Sequence, residues 1–157
     1  MGLFKNNKTS AVFTEKDSRK TLHKNLEFTA IEQYKILRTN LDFTLPEDVK
    51  CPIIGVTSSM RGEGKSTTAV NLSYVLAEKG DPVLLIDGDL RIPSIAKKMN
   101  LESTPGLTDL LMGHGAHMPD FRSALLKNWY ILPSGEIPPN PSELIGSRRM
   151  DFILDSL

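Results

Sequence analysis

The densest chemistry in the chain lies in Ser58-Ser59-Met60-Arg61-Gly62-Glu63-Gly64-Lys65-Ser66-Thr67. Gly62 and Gly64 let the backbone turn so that successive N–H groups point inward. A helix starting at Lys65 adds the positive end of its dipole to that nest. Lys65 can then reach the β- and γ-phosphates of ATP, and the Ser66 hydroxyl can ligate Mg²⁺. The spacing follows the end of the Walker A pattern, with Ser59 where its first glycine usually stands. Residues Ser59, Met60, Arg61, Gly62, Glu63, Gly64, Lys65, Ser66 and Thr67 are the candidate nucleotide-binding loop. An ordinary surface turn is the alternative, and the flanking elements argue against it.

A second group is Asp87-Gly88-Asp89-Leu90-Arg91. In open α/β sheets ligands bind beyond the carboxyl ends of strands, so carboxylates at such an end can face the metal and the γ-phosphate. Asp87 and Asp89 can both reach the site if the backbone stays extended. One would ligate Mg²⁺ directly or through water, and the other would accept a proton from an attacking hydroxyl. Lys65, Asp87 and Asp89 are thus the catalytic candidates, and Ser66, Asp87 and Asp89 the metal candidates. A polar turn with solvated carboxylates is the bland reading. Arg91 either stabilises phosphate charge or pairs with Asp89.

The elements that must position these groups are legible from periodicity. Pro52-Ile53-Ile54-Gly55-Val56-Thr57 is a β-branched run of the kind buried on both faces of a parallel sheet. Residues 65–79 carry apolar positions at helical spacing, and Gly80 stands where a C-cap belongs. Pro82–Ile86 is a second apolar strand, so strand, helix and strand form a βαβ unit with an expected right-handed crossover. Short helices are expected over 92–99, 106–112 and 121–127, and a third strand over Trp129–Leu132. Pro133 and Gly135 interrupt the chain, and a helix resumes at Ser142 toward the C-terminus. Upstream, Ile31, Tyr34, Leu37 and Leu41, with Ile36 beside them, mark an amphipathic helix ending near Pro46, with Glu32, Lys35 and Arg38 on another face. Residues 1–25 lack apolar periodicity and are read as a flexible tail. The fold class is therefore α/β, a P-loop NTPase-like parallel sheet flanked by helices.

The chain has 157 residues, about one domain, with 19 Lys plus Arg against 19 Asp plus Glu. That balance gives no reason to expect nucleic acid as a partner. The single cysteine, Cys51, forms no internal disulfide, suits a reducing compartment, and is expected in the core. No run approaches the ~18 apolar residues of a spanning helix, and the first residues do not make a signal peptide. The expectation is a cytoplasmic protein.

Four segments together resemble the bacterial tyrosine kinases (BY-kinases) of capsular and exopolysaccharide synthesis, the CpsD/CapB type. They are Glu32–Asn40, Val56–Thr67, Leu84–Pro93, and Leu132–Gly135 with Pro138–Leu144. The resemblance implies an ATP- and Mg²⁺-dependent, autophosphorylating protein-tyrosine kinase over residues 26–157. It implies that the Asp87 segment is the Walker A′ motif, with Asp87 the base or metal-associated carboxylate and Asp89 assisting Mg²⁺. It implies that helix 28–42 is the Glu-x-x-Arg-x-x-Arg element through which such kinases form homo-oligomers, here with Lys35 in place of the middle arginine. It also implies protein tyrosine substrates and a transmembrane polysaccharide-export adaptor, which would hold the chain at the inner face of the cell membrane.

The family's Walker B aspartate, on a strand beside the phosphate-loop strand, and its terminal tyrosine cluster have no counterpart here. The sheet is expected to keep an open edge, and the domain to be incomplete at its C-terminus, with weak ATP binding and poor transfer. Tyr34, Tyr74 and Tyr130 are expected in core or interface positions. Two other classes fit the motifs: a MinD/ParA-type ATPase switch, and a non-catalytic, truncated regulatory subunit. Members of the former carry an early loop lysine, where this chain has Met60, and no counterpart of Pro138–Leu144.

Overall fold

A computed structural model describes residues 26–46, 48–113 and 126–156. In chain order these form α1 (Phe28–Thr44), α2 (Lys65–Lys79), β1 (Val83–Ile86), α3 (Ile95–Met99), α4 (Leu107–Met112), β2 (Trp129–Leu132), α5 (Pro141–Ile145) and α6 (Arg148–Asp155). The tail 1–25 and most of the expected helix 121–127 lie outside the described residues.

The α/β expectation holds. β1 and β2 pair in parallel, with Val83 opposite Trp129 and Ile86 opposite Leu132. Both strands are short apolar runs because helices cover both faces of the pair, so the side-chain alternation sorts one apolar set from another. Val83, Leu85, Trp129 and Ile131 pack with Val70 and Ala77 of α2 and with Ile95 and Met99 of α3. Leu84, Ile86 and Leu132 pack on the opposite side with Leu107 and Leu111 of α4 and Ile153 of α6. Trp129 is fully buried, donates from its indole N–H to the Ser73 hydroxyl at 3.1 Å, and meets the Tyr74 ring edge-on at 5.4 Å. Tyr34 and Tyr130 are half-buried, as helix and strand positions.

Four expectations need correction. Residues 52–57 form no strand: none of their backbone groups bonds another described segment, and Ile53 is 73% exposed. β-branched content gives a strand its preference, but a ladder needs a neighbour, and β1 is instead paired with β2. The parallel unit that forms therefore joins 83–86 to 129–132, not 52–57 to 82–86. Cys51, expected in the core, is exposed along with that segment. Finally, the C-terminal helix is two helices. Gly146 ends α5, and the Ser147 hydroxyl accepts the Met150 N–H to start α6, as serine at an N-cap should.

Helix α1 lies along α2. Its half-buried stripe is Ile31, Tyr34, Arg38 and Leu41, while Leu37 and Ile36 face outward. Arg38 belongs to the inner stripe because its guanidinium donates to the Val75 carbonyl oxygen at 2.7 Å. Lys35 pairs with Glu32 on the same helix, and Lys79 of α2 bridges to Asp42 at 2.9 Å and Asp81 at 3.4 Å. The Asp42 carboxylate, joined by Asp81, holds the Lys79 ammonium above its ordinary pKa.

Trp129 fills the space between α2 and the sheet, so Trp129→Ala should lower the unfolding free energy by about 3–5 kcal/mol. Urea unfolding followed by far-ultraviolet circular dichroism measures this directly. A loss below about 1 kcal/mol would mean that the packing between α2 and the strands is not what holds the sheet.

Candidate functional site

The loop between residue 57 and α2 is shaped by its two glycines. Gly62 has φ 88° and Gly64 φ 97°, and a Cβ at either would meet only open space. Backbone conformation, not crowding, is what requires glycine there. Gly64 is the N-cap of α2, and the first intrahelical bond runs from the Thr68 N–H to the Gly64 carbonyl at 2.8 Å. The N–H groups of residues 61–67 find no acceptor among the described residues. This is a row of unpaired donors at the positive end of a 15-residue helix, the backbone chemistry that binds phosphate.

The loop's own acid occupies one edge of that row. Glu63 accepts the Met60 N–H at 3.0 Å and lies 3.4 Å from the Ser59 hydroxyl, while the Ser58 hydroxyl donates to the Met60 carbonyl. The Met60 N–H, aided by Ser58, Ser59 and the nearby Lys65 charge, holds the Glu63 carboxyl below its usual range against a smaller opposing desolvation. Lys65 is half-buried and makes no hydrogen bond or ion pair among the described residues.

Asp87 follows β1 and is 3% exposed. Its Oδ2 accepts the N–H groups of Ser94 at 3.0 Å and Ile95 at 2.9 Å, and its Oδ1 accepts that of Asp89 at 3.2 Å. One carboxylate therefore closes the 87–95 segment and starts α3. Asp89 is exposed and accepts the Ile92 N–H at 3.0 Å. The two acids thus diverge in environment, Asp87 buried on three backbone donors and Asp89 bonded to one and open to solvent. Ser94 joins this turn to the phosphate loop: its hydroxyl donates to the Ser66 oxygen at 2.7 Å. Arg91 bonds Ser142 at 2.8 Å, linking the turn to the start of α5, and makes no bond to Asp89.

The residues present fit ATP with Mg²⁺. No group of three or more His, Cys, Asp or Glu capable of caging a metal occurs among the described residues. A Mg²⁺ ion here would be held by the Ser66 oxygen, phosphate oxygens and water, the ligand set that this hard, tightly hydrated ion favours. Sequence reasoning missed Ser94. Its signal was a serine one residue before an apolar helix start, but the helix expected from Ile92 would have placed it inside.

The family model described as ParA, NUBPL iron-transfer P-loop NTPase, matches residues 49–119. The tyrosine-protein kinase YwqD of Bacillus subtilis (strain 168) is 44% identical over 131 residues, 83% of this chain and 48% of that protein. The tyrosine-protein kinase CpsD of Streptococcus pneumoniae serotype 4 (strain ATCC BAA-334 / TIGR4) is 34% identical over 109 residues, covering 69% and 48%. Among solved structures, the chimerical protein CapA2B2 superposes with TM-score 0.78 and 33% identity over 91% of this chain and 62% of its own. The chain spans about half the length of these curated relatives. An alignment of 131 residues must extend well past the span 49–119, so the likeness to the kinases reaches beyond the loop common to all P-loop proteins. In sequence and fold, the chain belongs to the bacterial tyrosine kinases of the CpsD/CapB type.

Proposed function

We propose that this chain serves ATP-dependent, autophosphorylating protein-tyrosine phosphorylation that regulates capsular or extracellular polysaccharide synthesis and export. The row of unpaired N–H groups over residues 61–67, at the start of α2 and beside Lys65, carries the reading. In it, Ser59 through Thr67 bind the phosphates, Lys65 neutralises charge that builds on the transferred phosphoryl group, and Ser66 holds Mg²⁺. Asp87 organises the turn and Asp89, open to solvent, faces the metal's water shell or the attacking hydroxyl. Mg²⁺ supplies neutralisation of the β- and γ-phosphate oxygens when bound.

The reading includes a homo-oligomer through helix 28–42, where Glu32 and Lys35 lie paired and half-buried while Ile36 and Phe43 are exposed. It also includes a transmembrane export adaptor as partner. Among the described residues no helix is long and apolar enough to cross a membrane; in this reading the adaptor holds the site at the inner face. The match to the ParA family model favours one second reading, a MinD/ParA-type ATPase that uses nucleotide to switch its dimerisation.

Transfer from labelled ATP·Mg²⁺ to tyrosine, by the chain alone and with an adaptor fragment, separates the two. The kinase reading expects phosphotyrosine that falls at least about 100-fold in Lys65→Met. ATP hydrolysis without phosphotyrosine in either mixture would give the ATPase reading instead.

Glu63 offers a test of where the phosphate sits. Its carboxyl is depressed, so its bond to Met60 is favoured above the ordinary midpoint of about 4.3 and is lost as pH falls through the lower folded midpoint. The group is fully exposed, and solvent keeps its effect on global stability small. A carbon-13 carboxyl titration should place the Glu63 midpoint below that of an ordinary glutamate, and bound ATP·Mg²⁺ should raise it by taking over the Met60 N–H. A midpoint indifferent to nucleotide would remove phosphate from this edge of the loop.

A further inference from the structure

We infer that Ser94 is a positioning residue for the metal: when a cation binds, its hydroxyl oxygen accepts the hydrogen bond of the Ser66 O–H and so aims the Ser66 lone pairs at Mg²⁺. The inference rests on the nucleotide-binding reading of the loop and concerns a residue that the loop motif does not contain.

Ser94 is the N-cap of α3, where a serine hydroxyl ordinarily accepts an N–H from the first turn of its own helix. It does not do so here. The start of the helix is held instead by the Asp87 carboxylate, which accepts the N–H groups of Ser94 itself and of Ile95 at 3.0 and 2.9 Å. The Ser94 hydroxyl makes no capping bond, and its hydrogen bond among the described residues is the one to Ser66 at 2.7 Å. The two serines are 28 residues apart, and a half-buried contact this short between them is fixed by the turn that Asp87 closes.

A serine hydroxyl has one proton and two lone pairs. To ligate a cation, Ser66 must turn its proton away from the ion and give it to an acceptor. Ser94 is that acceptor. Hydroxyl rotors reorient freely, so the bond that Ser94 donates in the free protein reverses when a cation polarises Ser66, and no heavy atom need move. A fixed partner for a ligating group orients that group and raises its basicity toward the metal.

Binding of a fluorescent ATP analogue, titrated with Mg²⁺ and repeated in excess EDTA, tests this on the full chain. Ser94→Ala should raise the Mg²⁺ concentration needed for tight binding about tenfold, leave metal-free binding as in the wild type, and leave the Tm without nucleotide nearly unchanged. Ser94→Thr, which keeps the hydroxyl, should restore the Mg²⁺ dependence. Equal Mg²⁺ dependence in wild type and Ser94→Ala overturns the inference while leaving the nucleotide site intact. Equal losses with and without Mg²⁺ overturn it in favour of a purely structural serine. No binding by the wild type overturns the nucleotide reading itself, and this inference with it.

Discussion

The buried carboxylate of Asp87 is the constraint on which the site depends. A carboxylate that leaves water is costly unless its oxygens are fully bonded, and three backbone N–H groups supply those bonds. Because the donors lie two, seven and eight residues ahead, satisfying the charge folds the whole 87–95 segment into one turn. That turn seats Leu90 in the core, leaves Asp89 outside, and delivers Ser94 to Ser66. An acid that the sequence offers for metal binding is, in the free protein, the fastener of the loop that carries its neighbour. Asparagine at this position would keep the shape but replace one acceptor by a donor facing N–H groups, so its effects on chemistry and on turn geometry are inseparable.

The sheet supplies the fixed frame for this turn. Two four-residue strands are a small sheet, and it persists because each face is covered by helices with an independent apolar cluster. Trp129 ties α2 to the strands by area and by its bond to Ser73, so the helix that begins at the phosphate loop is fixed against the sheet whose strand β1 leads into Asp87. Loop and acid turn are thereby brought together by packing behind them, not by contact between the charged groups. Gly106, whose Cβ would collide with the backbone of Gly135, allows α4 to press against the end of β2 on the other side.

Most of this frame was legible in the sequence. Helix α2 and both strands follow from apolar periodicity bounded by glycine, because burial and capping are local requirements that residue type records directly. The phosphate loop was legible for the same reason, since positive φ at Gly62 and Gly64 leaves few other choices. What escaped was non-local. Arg38 looks like a member of a charged face until the Val75 carbonyl draws it inward, and no spacing rule reveals a carbonyl 37 residues away. Ser94 escaped because its partner is chosen by Asp87 through a turn. The division of α5 from α6 was visible in Gly146-Ser147 and was outweighed by the apolar pattern that spans it.

Residues 52–57 show where the loop's two sides differ. On its far side the loop runs into α2, anchored in the core by Val70 and Val75. On its near side it follows a segment without ladder bonds among the described residues, so Ser58 and Ser59 are held only by bonds within the loop. A phosphate nest works by preorganisation, and each donor that must be ordered on binding subtracts from the affinity. The Glu63 bond to Met60 gives part of that order, but a carboxylate there also repels the phosphate it prepares for. Pairing of 52–57 with a neighbouring strand would fix the loop from behind and make that internal acid dispensable. A strand paired with 52–57 would therefore add to the preorganisation of the loop beyond what the loop's own bonds supply.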